Sequence, residues 1–461
     1  MQETLSHYFG YDTFRPGQEE IISKIIDHRN VLGVLPTGGG KSICYQVPGL
    51  MLGGTTIVIS PLISLMKDQV DQLKAMGINA AYINSSLTQK QQKEIEQDLI
   101  SGHIQFLYVA PERFENQYFL SQLRKVNIRL VAFDEAHCIS KWGHDFRPSY
   151  QNVIQKVFTL PQDFAIVALT ATATAEVQQD IMDKLNIEAN DEVKTSTKRR
   201  NLIFKVNPTY QRQKFVVDYV TEHNEEAGII YCSTRKQVEE LQEVLESHKV
   251  KCTIYHAGLT NKEREAAQND FLYDRVNVVI ATNAFGMGID KSNVRFVIHY
   301  NMPGDLESYY QEAGRAGRDG LKSECILLFS ERDRGLHEYF ISVSQADDDY
   351  KEKMGEKLTK MLQYTKTKKC LEATIVHYFE PNEKLEECKQ CSNCIQENKT
   401  YDMTREAKMI ISCVARMRQQ ESYSVIIQVL RGETTDYIKY NDYDQLTTHG
   451  IMKSYTTSEL S

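Results

Sequence analysis

What the sequence lacks narrows its function first. No apolar run approaches the roughly 20 residues that a membrane-spanning helix needs, so no membrane partner is expected. The start, Met1-Gln2-Glu3-Thr4, has neither the cationic flank nor the apolar segment of a secretory signal. There is no low-complexity tract and no short internal repeat. Nor is there a surplus of positive charge. The formal net charge is −8, which argues against a nucleic-acid binder but leaves room for local basic strips. Ten cysteines in 461 residues are too sparse for a disulfide scaffold. Tryptophan occurs once, at Trp142. These absences leave a soluble intracellular protein of about two to four domains, with 41% hydrophobic residues to build ordinary cores.

Glycine, by contrast, is concentrated at Pro36-Thr37-Gly38-Gly39-Gly40-Lys41-Ser42. The apolar run Val31-Leu32-Gly33-Val34-Leu35 before it is short enough for a buried strand, and Ile43-Cys44-Tyr45-Gln46-Val47 after it can continue as a helix. Strand, glycine loop, Lys-Ser and helix is the architecture of a phosphate-cradling loop. Glycines let successive N–H groups converge on an anion, and the helix N-terminus adds partial positive charge. Lys41 would reach the β- and γ-phosphates of a nucleotide and the Ser42 hydroxyl would hold Mg²⁺. The alternative is a glycine-rich turn, because Leu35 stands where the general phosphate-loop pattern has its first glycine. Upstream, Tyr11 and Phe14-Arg15-Pro16-Gly17-Gln18 offer an aromatic face, a guanidinium and a carboxamide that could clamp adenine. Arg-Pro-Gly is equally an ordinary turn.

Further on, residues 55–59, 104–109 and 130–133 read as buried strands and residues 62–76 have helical spacing. Such alternation implies a parallel α/β sheet, with ligands at the carboxyl ends of its strands. Asp134-Glu135-Ala136-His137 sits at one such end. There Asp134 can hold Mg²⁺ and Glu135 can orient and deprotonate the attacking water.

At this point the chain resembles a superfamily 2 helicase, and more narrowly the RecQ family of DNA helicases. Phe14-Arg15-Pro16-Gly17-Gln18 resembles the family's adenine-clamping motif, which implies that role for Arg15, Gln18 and the upstream Tyr11. The stretch Pro36 to Ser42 is the family's form of the phosphate loop, and residues 60–69 resemble motif Ia. Residues 138–148, with Trp142, Phe146 and Arg147, resemble the aromatic-rich loop that links DNA contact to ATP hydrolysis. Trp and Phe among His and Arg could stack on single-stranded bases; a loop pinned by core aromatics is the alternative. Residues 168–173 resemble motif III, whose hydroxyls couple the lobes.

A second alternation follows the basic patch Lys198-Arg199-Arg200-Asn201, where the family changes lobes. Strands are expected at residues 229–232 and 276–281. Residues 282–290 resemble motif V, which implies a DNA phosphate contact for Thr282 and a ribose contact for Asp290. Residues 311–320 resemble motif VI, which places Gln311, Arg315 and Arg318 at the nucleotide. The two arginines, three apart, would share one helix face and stabilise charge on the transferring phosphoryl group. Cys370, Cys388, Cys391 and Cys394 then fall within 25 positions. Four thiolates suit a tetrahedral structural Zn²⁺, with iron–sulfur ligation as the alternative; the resemblance implies zinc. Basic residues 366–369 could touch DNA phosphates or form a solvated face. Residues 407–414 and 425–432 read as helices and resemble the opening of a winged-helix domain.

The expected fold is therefore α/β. Two RecA-like parallel-sheet lobes (residues 1–200 and 201–342) precede a helical zinc-binding subdomain (343–400) and a winged-helix domain (401–461) that is incomplete against the family pattern. The resemblance implies a 3′-to-5′ DNA helicase or translocase of repair and recombination, using ATP, Mg²⁺ and Zn²⁺. Its partners would be single-stranded DNA and DNA junctions, with a single-strand-binding protein as a companion. It would be a cytoplasmic monomer, nucleoid-associated in a bacterium. The alternatives are a DNA-stimulated ATPase that unwinds little because the winged domain is incomplete, an RNA helicase, and a DNA-binding module whose ATPase acts as a switch.

Overall fold

The computed structural model describes every residue except 62, 85–86, 144–146, 161–162, 286–290, 385, 396–403, 456 and 461, and omits the side chains of residues 63–64 and 458–459. Each apolar run read as a strand forms one. In the first lobe these are β1 (Val31–Val34), β2 (Thr55–Ile59), β3 (Ala80–Ile83), β4 (Phe106–Val109), β5 (Ile128–Phe133), β6 (Ala165–Thr170) and β7 (Glu192–Lys194). They form a parallel sheet in the order β3-β4-β2-β5-β6-β1-β7. Side chains alternate between faces. Ile57 and Ile59 join one buried cluster with Leu107, Val131 and Phe133, whereas Val58 joins the other with Phe106, Leu130 and Ala132. Helices cover both faces, as a sheet apolar on both sides requires.

The second lobe repeats the plan. Its strands are β8 (Leu202–Pro208), β9 (Ala227–Tyr231), β10 (Cys252–Tyr255), β11 (Val278–Ala281), β12 (Val294–His299) and β13 (Ser323–Phe329). Their order is β10-β11-β9-β12-β13-β8, again all parallel. Because the strands of a lobe run one way, the loops after β1, β5 and β6 gather at one edge, and this positions the site.

The cysteine-bearing region is not a separate body. Helices Asp348–Lys366 and Leu371–Phe379 bury Leu358, Met361, Leu371, Ile375 and Phe379 in the same cluster as Phe204, Ile229 and Val297 of the second lobe, with Cys370 and Cys391 among them. Residues 1–395 accordingly form one compact unit and residues 396–461 a second. The second unit has its own small core of Cys413, Met417, Val429, Leu430, Ile438 and Met452. It is built on helices Thr404–Arg416 and Tyr423–Arg431; the first takes in the stretch 407–414 read as helical, and the second takes in 425–431 but stops before Gly432, which caps it at φ +77°.

Candidate functional site: a nucleotide cleft, an aromatic loop and a thiolate cluster

A cavity of about 440 Å³ opens over the glycine loop, within the range of small-molecule sites. Tyr11, Arg15, Gln18, Thr37, Gly38, Gly40, Lys41, Ser42, Asp134 and Glu135 line it from the first lobe, and Gln311, Arg315 and Arg318 from the second. Helix Ile43–Leu52 starts immediately after Ser42, so its N-terminus faces this loop. Gly40 holds φ +73°, and a Cβ there would meet Gln18 Nε2 at 2.5 Å. That close approach is used. Gln18 is buried, donates from Nε2 to the Gly40 carbonyl at 2.9 Å and the Gly39 carbonyl at 3.2 Å, and accepts the Arg15 N–H at 2.9 Å. Arg15 Nη1 also donates to the Gly38 carbonyl. Tyr11 remains 54% exposed, a ring open to stacking.

Asp134 follows the last residue of β5, and its N–H donates to the Ile59 carbonyl at 2.9 Å. Burial and neighbouring Glu135 push its carboxyl up to about 7, against the lowering effect of Lys41. Glu135 adopts φ +47°, rare for a residue with a Cβ. Its Oε2 lies 3.4 Å from Nδ1 of buried His137, which in turn lies 3.0 Å from the Thr170 hydroxyl. Thr170 Oγ1 donates to the Thr172 carbonyl at 3.1 Å. The acidic box is thereby wired to the end of β6.

Arg315 and Arg318 do not share a helix face, contrary to expectation. The helix Leu306–Ala313 stops at Gly314, and both arginines lie in the turns that follow. Glycine is a poor helix former, and Gly317 at φ +58° turns the chain out of the helical path. The turns nonetheless carry both side chains into the cleft. Arg315 Nε and the Thr37 hydroxyl are buried atoms with no partner among the described residues. A bound phosphate would supply acceptors for both.

Trp142 is held rather than open. Lys141 and Lys353 lie 5.3 and 5.6 Å from its ring centre. Lys357 donates to its carbonyl at 2.8 Å and pairs with Glu307 at 3.1 Å. Lys141 reaches Asp347 at 2.8 Å. Helix Asp348–Lys366 and the residue before it thus dock on the loop. Arg147 Nη1 donates to the Pro61 carbonyl at 3.0 Å, tying this loop to the segment after β2. Thr282 follows β11 and is half-buried, its N–H on the Tyr255 carbonyl at 3.1 Å. Phe146 and Asp290 lie outside the described residues.

The four cysteine sulfurs lie within 4.8 Å of one another, with Cys388–Cys394 and Cys391–Cys370 at 4.0 Å. Four sulfurs at ~2.3 Å from one tetrahedral ion stand about 3.8 Å apart, so the spacing suits a single Zn²⁺. Thiolates that each ligate a different iron of a cluster stand farther apart. Backbone N–H groups point at the sulfurs: Cys388 and Ala373 donate to Cys370, Leu371 to Cys391 and Cys391 to Cys388, at 3.2–3.5 Å. Such donors favour the charged form. Burial opposes ionisation of Cys391, but the Leu371 and Cys394 N–H groups and the adjacent thiols outweigh it and hold this thiol below its ordinary value.

One further residue joins the two sides of this cleft. Arg199, half-buried between the lobes, donates to the Thr37 carbonyl at 2.7 Å and to the carbonyls of Ala316 and Gly317 at 3.1 and 2.9 Å. Backbone acceptors leave no trace in side-chain patterns, so only its place in a basic patch marked it.

Four family models match the chain in order. They are the DEAD/DEAH box helicase over residues 15–181, the Helicase conserved C-terminal domain over 211–320, RecQ zinc-binding over 331–395 and the RQC domain over 397–461. The chain is 47% identical to the ATP-dependent DNA helicase RecQ of Bacillus subtilis (strain 168), across 100% of this chain and 78% of that protein. It is 40% identical to the ATP-dependent DNA helicase RecQ of Haemophilus influenzae, across 97% of this chain and 72% of that one. Among solved structures, S. cerevisiae Dbp5 bound to RNA and ADP BeF3 superposes with a TM-score of 0.60, over 78% of this chain and 97% of that one. At 19% identity this likeness concerns the fold alone. The relatives do not favour the alternative of an ATPase with little unwinding. Because the 47% alignment takes in the cysteine cluster and the tail as well as both sheets, the chain belongs to the RecQ family of ATP-dependent DNA helicases, within superfamily 2.

Proposed function

We propose that the cleft hydrolyses ATP and that its opening and closing drive the chain 3′ to 5′ along single-stranded DNA, separating duplex ahead of it. The observation that carries this reading is one cavity lined by Lys41, Asp134 and Glu135 from one lobe and by Arg315 and Arg318 from the other. In this reading Gly38, Gly39, Gly40 and Lys41 bind the phosphates, and Tyr11, Arg15 and Gln18 receive adenine. Ser42 and Asp134 would hold Mg²⁺, which neutralises phosphate charge when bound. Glu135 accepts the proton of the attacking water. Arg315 and Arg318 meet the charge that develops on the γ-phosphoryl group. For adenine to be read by its carboxamide, Gln18 must exchange its bonds to the loop carbonyls for the base edge. Adenine binding and loop geometry are then coupled. Asp290 and Gln311 complete the nucleotide contacts, and Thr282 and Phe146 the contacts to DNA.

The aromatic loop would report DNA to the catalytic box, since only four residues, the end of the short 3-10 helix Ala136–Ile139 and the two after it, separate Trp142 from His137. Trp142→Ala should leave basal ATPase within about twofold while lowering single-strand affinity about tenfold, the scale of one lost base stack. Stimulation of ATPase by DNA should fall with it. Equal stimulation of variant and parent would return Trp142 to a packing role.

Both halves of the cleft come from one chain, which supports a working monomer. A helicase leaves single strands behind it, so a single-strand-binding protein is the proposed companion. Among the described residues no helix is long and apolar enough to cross a membrane. We place the protein in the cytoplasm, on the nucleoid in a bacterial cell.

The deciding experiment is strand displacement on a duplex with a 3′ single-stranded tail, with and without ATP, beside a 5′-tailed duplex and an RNA version. Displacement should need ATP and the 3′ DNA tail. Preference for the 5′ tail would overturn the polarity, and preference for RNA the substrate class.

A further inference from the structure

The guanidinium of Arg199 uses all five of its N–H donors. Nε reaches Asn201 Oδ1 at 3.3 Å. Nη1 reaches the carbonyls of Thr37 at 2.7 Å and Gly314 at 3.4 Å. Nη2 reaches those of Ala316 at 3.1 Å and Gly317 at 2.9 Å. Thr37 belongs to the phosphate loop of the first lobe. Gly314, Ala316 and Gly317 belong to the turns that carry Arg315 and Arg318 in the second. Four carbonyl dipoles from two lobes thus converge on one cation. Without it they would repel one another across a partly dry interface, since each would lose an acceptor's partner.

The neighbourhood is built to hold this residue in place. Asn201 Nδ2 donates to the Gly317 carbonyl at 2.8 Å and the Leu321 carbonyl at 3.0 Å. Tyr310, from the helix before the arginine turns, donates to the Thr197 carbonyl. The Thr197 N–H donates to Glu380 at 2.7 Å. The connection between the lobes is pinned on both sides of Arg199, so the guanidinium cannot follow either lobe without pulling the other. A Cβ placed on Gly38 would come 3.5 Å from Cγ of Arg318 and 3.8 Å from Nη1 of Arg199, so both arginines lie beside the phosphate loop at this glycine.

We propose that Arg199 is a positioning residue for the hydrolytic reaction: it sets the distance between the phosphate loop and the turns that deliver Arg315 and Arg318, and it transmits lobe closure to them. This rests on the reading of the cleft given above. Arg199 itself is directed at backbone carbonyls and needs no contact with substrate. Lysine cannot replace it, because an ammonium has three tetrahedral donors where four carbonyls must be met.

The test uses the full chain with Arg199→Ala and Arg199→Lys, measured by DNA-stimulated ATPase, equilibrium binding of a fluorescent ATP analogue and thermal melting. Nucleotide affinity should stay within about threefold of the parent in both variants, since the phosphate loop itself is unchanged. The DNA-saturated kcat should fall by about 10- to 100-fold, the scale of a displaced catalytic group. Added guanidinium ion should restore part of the rate of Arg199→Ala. If Arg199→Ala melts early, Arg199→Lys, which keeps the charge and most of the volume, carries the measurement. A lysine variant with parental kcat would overturn the proposal, as would a loss confined to nucleotide affinity or to melting temperature. If the parent itself shows no DNA-stimulated ATPase, the reading of the cleft has failed and the role of Arg199 falls with it. Parental hydrolysis together with an unaffected Arg199→Ala rejects the positioning role alone.

Discussion

Glu135→Gln should bind ATP nearly as tightly as the parent protein and hydrolyse it about 100-fold more slowly or worse. The amide keeps the size and the hydrogen-bonding reach of the carboxylate but cannot accept the proton of the attacking water. The surroundings indicate that the exchange is tolerated. Glu135 is held by its backbone, at φ +47°, and its side chain meets His137 Nδ1 at 3.4 Å, a contact that an amide oxygen can also make. Asp134 keeps its bond to the Glu135 N–H at 3.0 Å, so the residue assigned to the metal is not displaced. The variant should therefore fold, melt near the parent temperature and trap ATP on single-stranded DNA. Filter binding and single-turnover hydrolysis separate these effects. Hydrolysis near the parental rate would remove Glu135 from the role of base. Arg318→Ala offers a control from the opposite lobe, with a loss of roughly 10³-fold or more if it stabilises transition-state charge.

The strands were the most legible part of the sequence, because a doubly covered parallel sheet demands continuous apolar runs. Residues 55–59 were read to the residue, and β2 spans Thr55–Ile59. The candidate phosphate loop was legible for a different reason: its glycines are clustered between a strand and a helix, and the acidic pair at the end of β5 offered an independent partner that lines the same cavity. Two features of the site were not. Arg315 and Arg318 have helical spacing, but spacing alone cannot register that Gly314 and Gly317 end the helix; the intrinsic cost of glycine outweighs the periodicity. The docking of Trp142 between lysines depends on Lys353, more than 200 residues away. Contacts at that separation are set by how the two lobes pack, which no local pattern encodes. The same holds for the cysteine region. Its thiolate spacing pointed to a metal, but nothing in the spacing disclosed that Cys370 and Cys391 share a core with the second lobe.

That shared core gives the cysteine cluster its expected effect. Zinc analysis of the purified chain should return one Zn²⁺ per molecule, and its removal should unsettle more than a surface loop. Structural Zn²⁺ in small peptides contributes about 10–16 kcal/mol at neutral pH, and here its loss would leave four thiols gathered within 4.8 Å beside N–H groups arranged for thiolates. Burial already raises Cys394 to about 11 and Cys388 further, so without a cation these sulfurs would take up protons and release their backbone donors. The disturbance should spread along helix Leu371–Phe379, whose Leu371, Ile375 and Phe379 are packed in the second-lobe core. Cys391→Ala, or chelation of the parent, should lower the melting temperature by about 10 °C or more. Hydrogen exchange should rise first in residues 371–395. Acidification should release the metal, because each ligand must be deprotonated to bind. ATPase should fall less steeply than stability at low temperature, since the residues of the nucleotide cleft lie outside the cluster. Stoichiometric iron in place of zinc, or a chelated protein that melts at the parental temperature, would sink the assignment of a structural zinc site.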